Sequence, residues 1–224
     1  MTRNLTTLLS EWVTQGFRSI GQILITPLAH GGYELRHHDD ATVAELRPYD
    51  GVEAARRLSM YTDQGEFRPL KTAPNLARGW RLTLSHAGEL RAALDHFYPA
   101  MLGIWASQQS QSLRPIPLRD TLGRQTGMYT ASKRLQDDEA QSLVGRACSS
   151  EGACLKRVLW PLTAEQPMTS LPAEKCCAEP ARLADGTRSI PLLCHEACNL
   201  LVAAAREVVK TRERAAAPPK APSA

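Results

Sequence analysis

All six cysteines of this 224-residue chain lie between Cys148 and Cys198, and the first 147 residues contain none. Six residues placed independently would rarely crowd into one quarter of a chain, so one local chemical task is expected to hold them there. The N-terminal stretch MTRNLTTLLSEWV carries a single Arg and no sustained apolar run. It does not read as a secretory leader, and a cytoplasmic setting is expected. In a reducing compartment, cysteines serve more often as metal ligands or reactive thiols than as structural disulfides.

The spacing narrows the chemistry. Cys194 and Cys198 form a C-x3-C pair, Cys148 and Cys154 form a C-x5-C pair around SSEGA, and Cys176-Cys177 are adjacent. Residues 195–211 (HEACNLLVAAAREVVKT) show helical spacing of apolar residues. This predicts a helix with Cys194 and Cys198 one turn apart on one face of its first turn. A helix N-terminus offers free N–H groups and partial positive charge, which favour thiolates and an anionic cluster. Two further sulfurs would have to come from Cys148 and Cys154 or from the competing Cys176-Cys177. Neighbouring side chains diverge, so those two would not ligate together, although either could serve alone. Four thiolates suit zinc or an iron–sulfur cluster. No C-x2-C knuckle occurs, which disfavours a zinc ribbon and leans toward a cluster. Buried cysteines that merely pack remain the plain alternative.

The rest of the chain reads as a mixed α+β protein. Helices are predicted over 4–15, 50–60 (Asp50 as N-cap), roughly 86–105 (Ser85 as N-cap) and 137–147. Pro99 should kink or split the third of these. Segments 20–26 and 32–36 predict a hairpin, and 80–84 and 156–162 predict strands. The polar run SQQSQS (107–112) is the expected boundary between two units. RPIPLRDTLGRQTGMYT reads as extended and loop-like, 163–192 as a loop, and 213–224 as a disordered tail. Hydrophobic residues make up 43% and charged residues 22%, with a net charge of +4. This is too weakly basic for a nucleic-acid surface. No window approaches 18 consecutive apolar residues, so neither a membrane span nor a membrane partner is expected.

The segments GRQTGMY (123–129), CLKRVLWP (154–161) and PLLCHEACNLLVAAAREVVK (191–210) resemble the C-terminal region of a group of CbiX-like sirohydrochlorin cobaltochelatases. There a stabilising domain is followed by a [4Fe-4S] cluster-binding domain. GGYELRHHDDA (31–41), RPLKTAPNLARGWRL (68–82) and ALDHFYPAMLG (93–103) resemble the stabilising part. The resemblance implies Cys194 and Cys198 as cluster ligands, then Cys154, with Cys148 as the fourth and Cys177, then Cys176, in reserve. A chelatase module of about 100 residues or more has no place before this region of the given chain. The resemblance therefore implies a cluster-binding accessory rather than a chelatase in its own right.

Other residues carry weaker expectations. His37, His38, Asp39 and Asp40 could offer imidazoles and carboxylates to a metal, against the plainer reading of a solvated loop. GRQTG lacks phosphate-loop spacing and reads as a turn. Arg119, Arg124 and Lys156-Arg157 could offset a cluster's charge or meet carboxylates of a tetrapyrrole, against ordinary surface charge. Cys194 and His195 are adjacent and should point apart, so no nucleophile–base pair is expected. The C-C-x16-C-x3-C pattern fits poorly the C-C-x10-C-x2-C pattern of [2Fe-2S] siderophore-iron reductases.

The expected protein is α+β in two small units. Residues 1–112 form a stabilising-like α+β domain and 113–212 a helix- and loop-rich [4Fe-4S] domain, with 213–224 as a tail. Its expected function is that of a redox or regulatory accessory to cobalamin or tetrapyrrole metal chelation, working with a chelatase or another protein of that pathway. The alternatives are a zinc-stabilised binding module and a [2Fe-2S] ferric reductase.

Overall fold

Leu5, Leu9 and Val13 recur at helical spacing, and Asn4 is placed to close the first turn. A computed structural model of the chain, describing residues 4–16, 18–69, 72–148, 154–169 and 188–216, shows that helix as α1 (Leu5–Thr14). The Asn4 side chain accepts the Thr6 N–H at 3.0 Å, and Leu9 and Val13 are buried.

Three antiparallel strands follow, β1 (Arg18–Ile20), β2 (Ile23–Pro27) and β3 (Tyr33–His37). The predicted hairpin is β2–β3, with Ile25 opposite Leu35. β4 (Arg47–Asp50) leads into α2 (Gly51–Leu58), and β5 (Trp80–Leu84) pairs with β3 antiparallel and with β4 parallel. Asp50 occupies the N-cap position of α2 without making a side-chain cap hydrogen bond. The predicted long helix is split at Pro99 into α3 (Ala87–Phe97) and α4 (Met101–Gln109). Its cap is His86 rather than Ser85: His86 Nδ1 accepts from Gly88 and Glu89, while the Ser85 N–H bonds back to the Glu89 carboxylate at 2.7 Å. The polar run 107–112 is not an extended linker. α4 runs through it to Gln109, and the Ser107 carbonyl accepts the N–H groups of Ser112 and Leu113.

The expected loop after residue 113 contains α5 (Leu118–Gly123) and a 3-10 segment (Gly127–Arg134). The prolines that suggested extended chain end at Pro117, the N-cap of α5, where a missing N–H costs nothing. α6 (Asp137–Ala147) has three acids in its first turn, as its sequence predicts. β6 (Arg157–Val158) is shorter than expected. β7 (Ser189–Ile190) and β8 (Leu193–Cys194) lie in what the sequence presented as loop and helix start. The last helix, α7 (Asn199–Ala216), starts later than predicted and runs into the predicted tail as far as Ala216.

The main sheet has the order β4-β5-β3-β2-β1-β7, and β6 and β8 form a separate parallel pair. β7 pairs parallel with β1, so a strand from the C-terminal third completes the N-terminal sheet. Two cores result. One lies among the sheet and α1–α4, and the other among α5, α6 and α7. Residues 158–160 alternate between them as a strand should. Val158 and Trp160 face the helical core, and Leu159 faces the sheet core. Leu192 and Leu193 also enter the sheet core, whereas Cys194 packs against the helical one. The β6–β8 ladder is therefore the wall the two cores share. No helix among the described residues is long and apolar enough to cross a membrane.

Candidate metal centre

Three separate pieces of backbone deliver sulfur to this wall. Cys148 is the C-cap of α6, its N–H bonded to the Val144 carbonyl at 2.9 Å. Cys154 precedes Leu155, whose N–H donates to the Ala73 carbonyl at 2.8 Å, so the chain next to this cysteine is tied to the sheet unit. Cys194 ends β8, and Cys198 immediately precedes α7, its carbonyl accepting the Val202 N–H at 3.1 Å.

The predicted placement of Cys194 and Cys198 together on one helical face is corrected here. The pairing of β8 with β6 holds residues 193–194 extended, and the chain turns before the helix begins. The two sulfurs are nevertheless brought together, by a strand end and a helix cap.

Cys148, Cys154, Cys194 and Cys198 all line one cavity of about 110 Å³, with Lys156, Trp160, Leu201 and Thr72 among its other walls. All four are half-buried, and none is in a disulfide. Cys176 and Cys177 lie outside the described residues. The Trp160 ring is fully buried and its Nε1–H donates to Cys194 Sγ at 3.3 Å, while the Cys194 thiol donates to the Glu196 carbonyl at 3.2 Å. Burial pushes the Cys194 thiol above its ordinary value. The Trp160 hydrogen bond and the Lys156 ammonium oppose this, and Cys154 and Cys198 add to it. A thiol held protonated by burial releases its proton when a metal takes its place.

The four cysteines line one cavity, an arrangement that suits a core of several irons and sulfides.

The other expected metal group is His37, His38 and Asp39, whose ligand atoms do lie within 4.8 Å. His37 Nδ1 and the Asp39 carboxylate already have partners. His37 Nδ1 accepts the Asp39 N–H at 3.1 Å, and the Asp39 carboxylate takes Arg78 at 2.9 Å. The solvated-loop reading holds for the exposed His38 and Asp39, whereas His37 and Asp40 are buried, and Asp40 accepts the Gly79 N–H at 2.7 Å. Arg119 pairs with Asp137 and the Leu135 carbonyl, and Arg124 with Glu196. Of the expected charge-compensating residues, Lys156 lines the cavity. His195 lines a different cavity, of about 510 Å³, beside α3 and α4, so Cys194 and His195 do point apart. Trp160 was not legible as a site residue, because within KRVLWPL it has the signature of an ordinary buried strand.

Two family models match the chain. Residues 6–109 match the one described as the DR2241 stabilising domain, and residues 110–207 match the one described as a 4Fe-4S iron–sulfur cluster binding domain. Among solved structures, the chain is similar to DR2241 of Deinococcus radiodurans, at 29% identity and a TM-score of 0.73. That protein is described as multi-domain, with structural similarity to chelatases and two additional novel domains. The match covers 92% of this chain and 41% of that one, so this chain spans about two-fifths of its length. No curated protein matches.

Proposed function

We propose, from the match of residues 6–109 to the DR2241 stabilising domain model and of residues 110–207 to the 4Fe-4S iron–sulfur cluster binding domain model, that Cys148, Cys154, Cys194 and Cys198 hold one [4Fe-4S] cluster. The convergence of these four sulfurs, from three stretches of chain, on one cavity carries the reading. The cluster, when bound, supplies a one-electron redox centre. The protein's part is to hold and shield it. Trp160 donates to Cys194 and fixes the direction of its sulfur. Lys156 and the N-terminal end of α7 bring positive charge to the cavity wall, which favours thiolates.

The chain's role in the cell follows as a further part of the proposal. It acts as a redox or regulatory accessory to a metal chelatase of tetrapyrrole or cobalamin synthesis, and it performs no metal insertion itself. Support comes from the structural similarity to chelatases described for DR2241.

Anaerobic reconstitution followed by iron and sulfide analysis and EPR tests the reading. The wild-type chain should carry about four irons and four sulfides. Cys194→Ser and Cys198→Ser should abolish the signal, Cys154→Ser and Cys148→Ser should remove or severely weaken it, and Cys176→Ser should leave it nearly intact. Iron lost from the Cys176 variant but kept by the Cys148 variant would displace Cys148 as the fourth ligand. Cobalt insertion into sirohydrochlorin by the purified chain, above the uncatalysed background, would refute the accessory role.

A further inference from the structure

Trp160 is the largest fully buried side chain among the described residues, and it packs in the helical core. A phenylalanine there would supply apolar contact with no polar atom to satisfy, whereas an indole N–H sealed from water has to find an acceptor. The two buried indoles of β5 and the β6 region solve this differently. Trp80 Nε1–H donates to a carbonyl, that of Ala77, at 2.6 Å, and Trp160 Nε1–H donates to Cys194 Sγ at 3.3 Å. A thiol sulfur accepts weakly and an anionic one strongly, so this contact gains in strength when Cys194 carries negative charge.

The donor is mounted rigidly against that sulfur. Val158 is in register with Cys194, and Trp160, two positions on, faces the same core. On one side of Trp160 the Leu159 N–H donates to the Cys194 carbonyl at 2.9 Å, and on the other the Pro161 carbonyl accepts the Leu118 N–H at 2.9 Å. Backbone therefore fixes the chain on either side of the indole, and one of those bonds runs to the residue whose sulfur it meets. Trp160 and Cys194 both line the four-cysteine cavity.

We propose that Trp160 is a positioning residue that acts through Cys194 to set the potential of the cluster: its N–H, held by the β6–β8 ladder and sealed from water, stabilises added charge on this ligand sulfur and favours the reduced cluster. This rests on the reading of Cys194 as a ligand. A ligated sulfur has no proton to offer the Glu196 carbonyl, which the thiol meets at 3.2 Å, but it still accepts from Trp160. Reduction adds one electron and moves no proton, so a hydrogen-bond donor to a ligand sulfur raises the potential, and its removal lowers it.

The test is an EPR-monitored dithionite titration of the anaerobically reconstituted full chain. Trp160→Phe removes the N–H with part of the ring. Benzothienylalanine introduced at position 160 by nonsense suppression keeps the shape of the indole and puts sulfur in place of its N–H. Trp105→Phe is the control, because the Trp105 Nε1 is buried without a hydrogen-bond partner. In both position-160 variants the ratio of oxidised to reduced cluster at a fixed potential should rise roughly tenfold, about 59 mV for one electron, while Trp105→Phe stays at the wild-type value. Iron lost from the benzothienylalanine chain while its circular dichroism matches wild type also supports the proposal, since only the N–H has been removed. A wild-type potential in the benzothienylalanine chain overturns it, whatever Trp160→Phe does. So does an equal shift in Trp105→Phe, because the hydrogen bond is then not what matters. Cys194→Ser separates the two readings. If it keeps full iron and an unchanged spectrum, the ligand assignment falls and this proposal falls with it. If it loses iron while the benzothienylalanine chain is unshifted, only the role of Trp160 is lost.

Discussion

In the sheet unit, β2 and β3 share five paired positions and β3 and β5 share four. In the cysteine-bearing unit, β6 and β8 share two, and the remaining order comes from packed helices. The sheet unit buries Trp80 stacked on Phe97 and most of the apolar residues of its strands. The helical unit buries fewer side chains, and its rim is tied by exposed or half-exposed pairs such as Arg134–Glu213 and Arg119–Asp137, which add little in water. Burial and backbone pairing suffice for the first. The second has its proposed ligands near element ends and needs something to bind those ends together.

Extracting the cluster with chelator or air is the largest perturbation of this contrast. A metal link between Cys154 and Cys194 closes a loop of 39 residues, and a cross-link of that span removes about 4 kcal/mol of unfolded-chain entropy. Limited proteolysis with mass spectrometry should then show cuts within 145–212 in the apo chain, while residues 5–109 resist. The stretch 189–193 should be spared, because β7 and Leu192–Leu193 belong to the sheet core. Identical digests with and without cluster would erase the distinction between the units.

The seam between them provides a medium-sized test. Gly21 has φ +53°, and a Cβ there would lie 2.8 Å from Leu192 Cδ1 and 2.9 Å from Tyr98 Cζ. Gly21→Ala should cost about 1–3 kcal/mol through overpacking, read by urea denaturation. Gly123→Ala, whose Cβ would meet nothing within 4 Å, should be near neutral. Equal effects would mean that Leu192 does not dock tightly on the sheet unit.

The smallest expected effect is confined to the sheet unit. Burial, with His38 adding to it, lowers the pKa of His37 below 6.5. The unfolded chain therefore binds this proton first. The stability contributed is full above pH 6.5 and is lost as pH falls toward the folded value. His37→Gln should flatten that part of the pH profile. A wild-type slope retained in the variant would assign it to another group.

The elements legible in the sequence were those specified locally. The spacing of Leu5, Leu9 and Val13 fixes α1, the acids at 137–139 mark α6, and Pro99 breaks α3 from α4. What escaped was fixed at a distance. β1 and β7 are three and two residues long and are stabilised by partners far away in the chain. The cysteine cluster pointed to a metal centre, and the four described cysteines do line one cavity. Their mounting could not be read, because helical spacing at 194–198 is overruled by a strand pairing with 157–158. The role of Trp160 could not be read either, since a sulfur-facing indole exists only once Cys194 has been brought to it.

The parallel pairing of Ser19 with Ser189 spans 170 positions of chain. During synthesis β1 is made long before its neighbour, so the sheet waits with an open edge while the stretch that carries Cys148 and Cys154 leaves the ribosome. Contacts this distant in sequence form slowly. The sheet is therefore finished only after Cys148 and Cys154 are exposed, and the same few residues that close it, 189–194, deliver Cys194 to its site. Completion of the N-terminal fold and assembly of the metal centre become one late event in the life of the nascent chain.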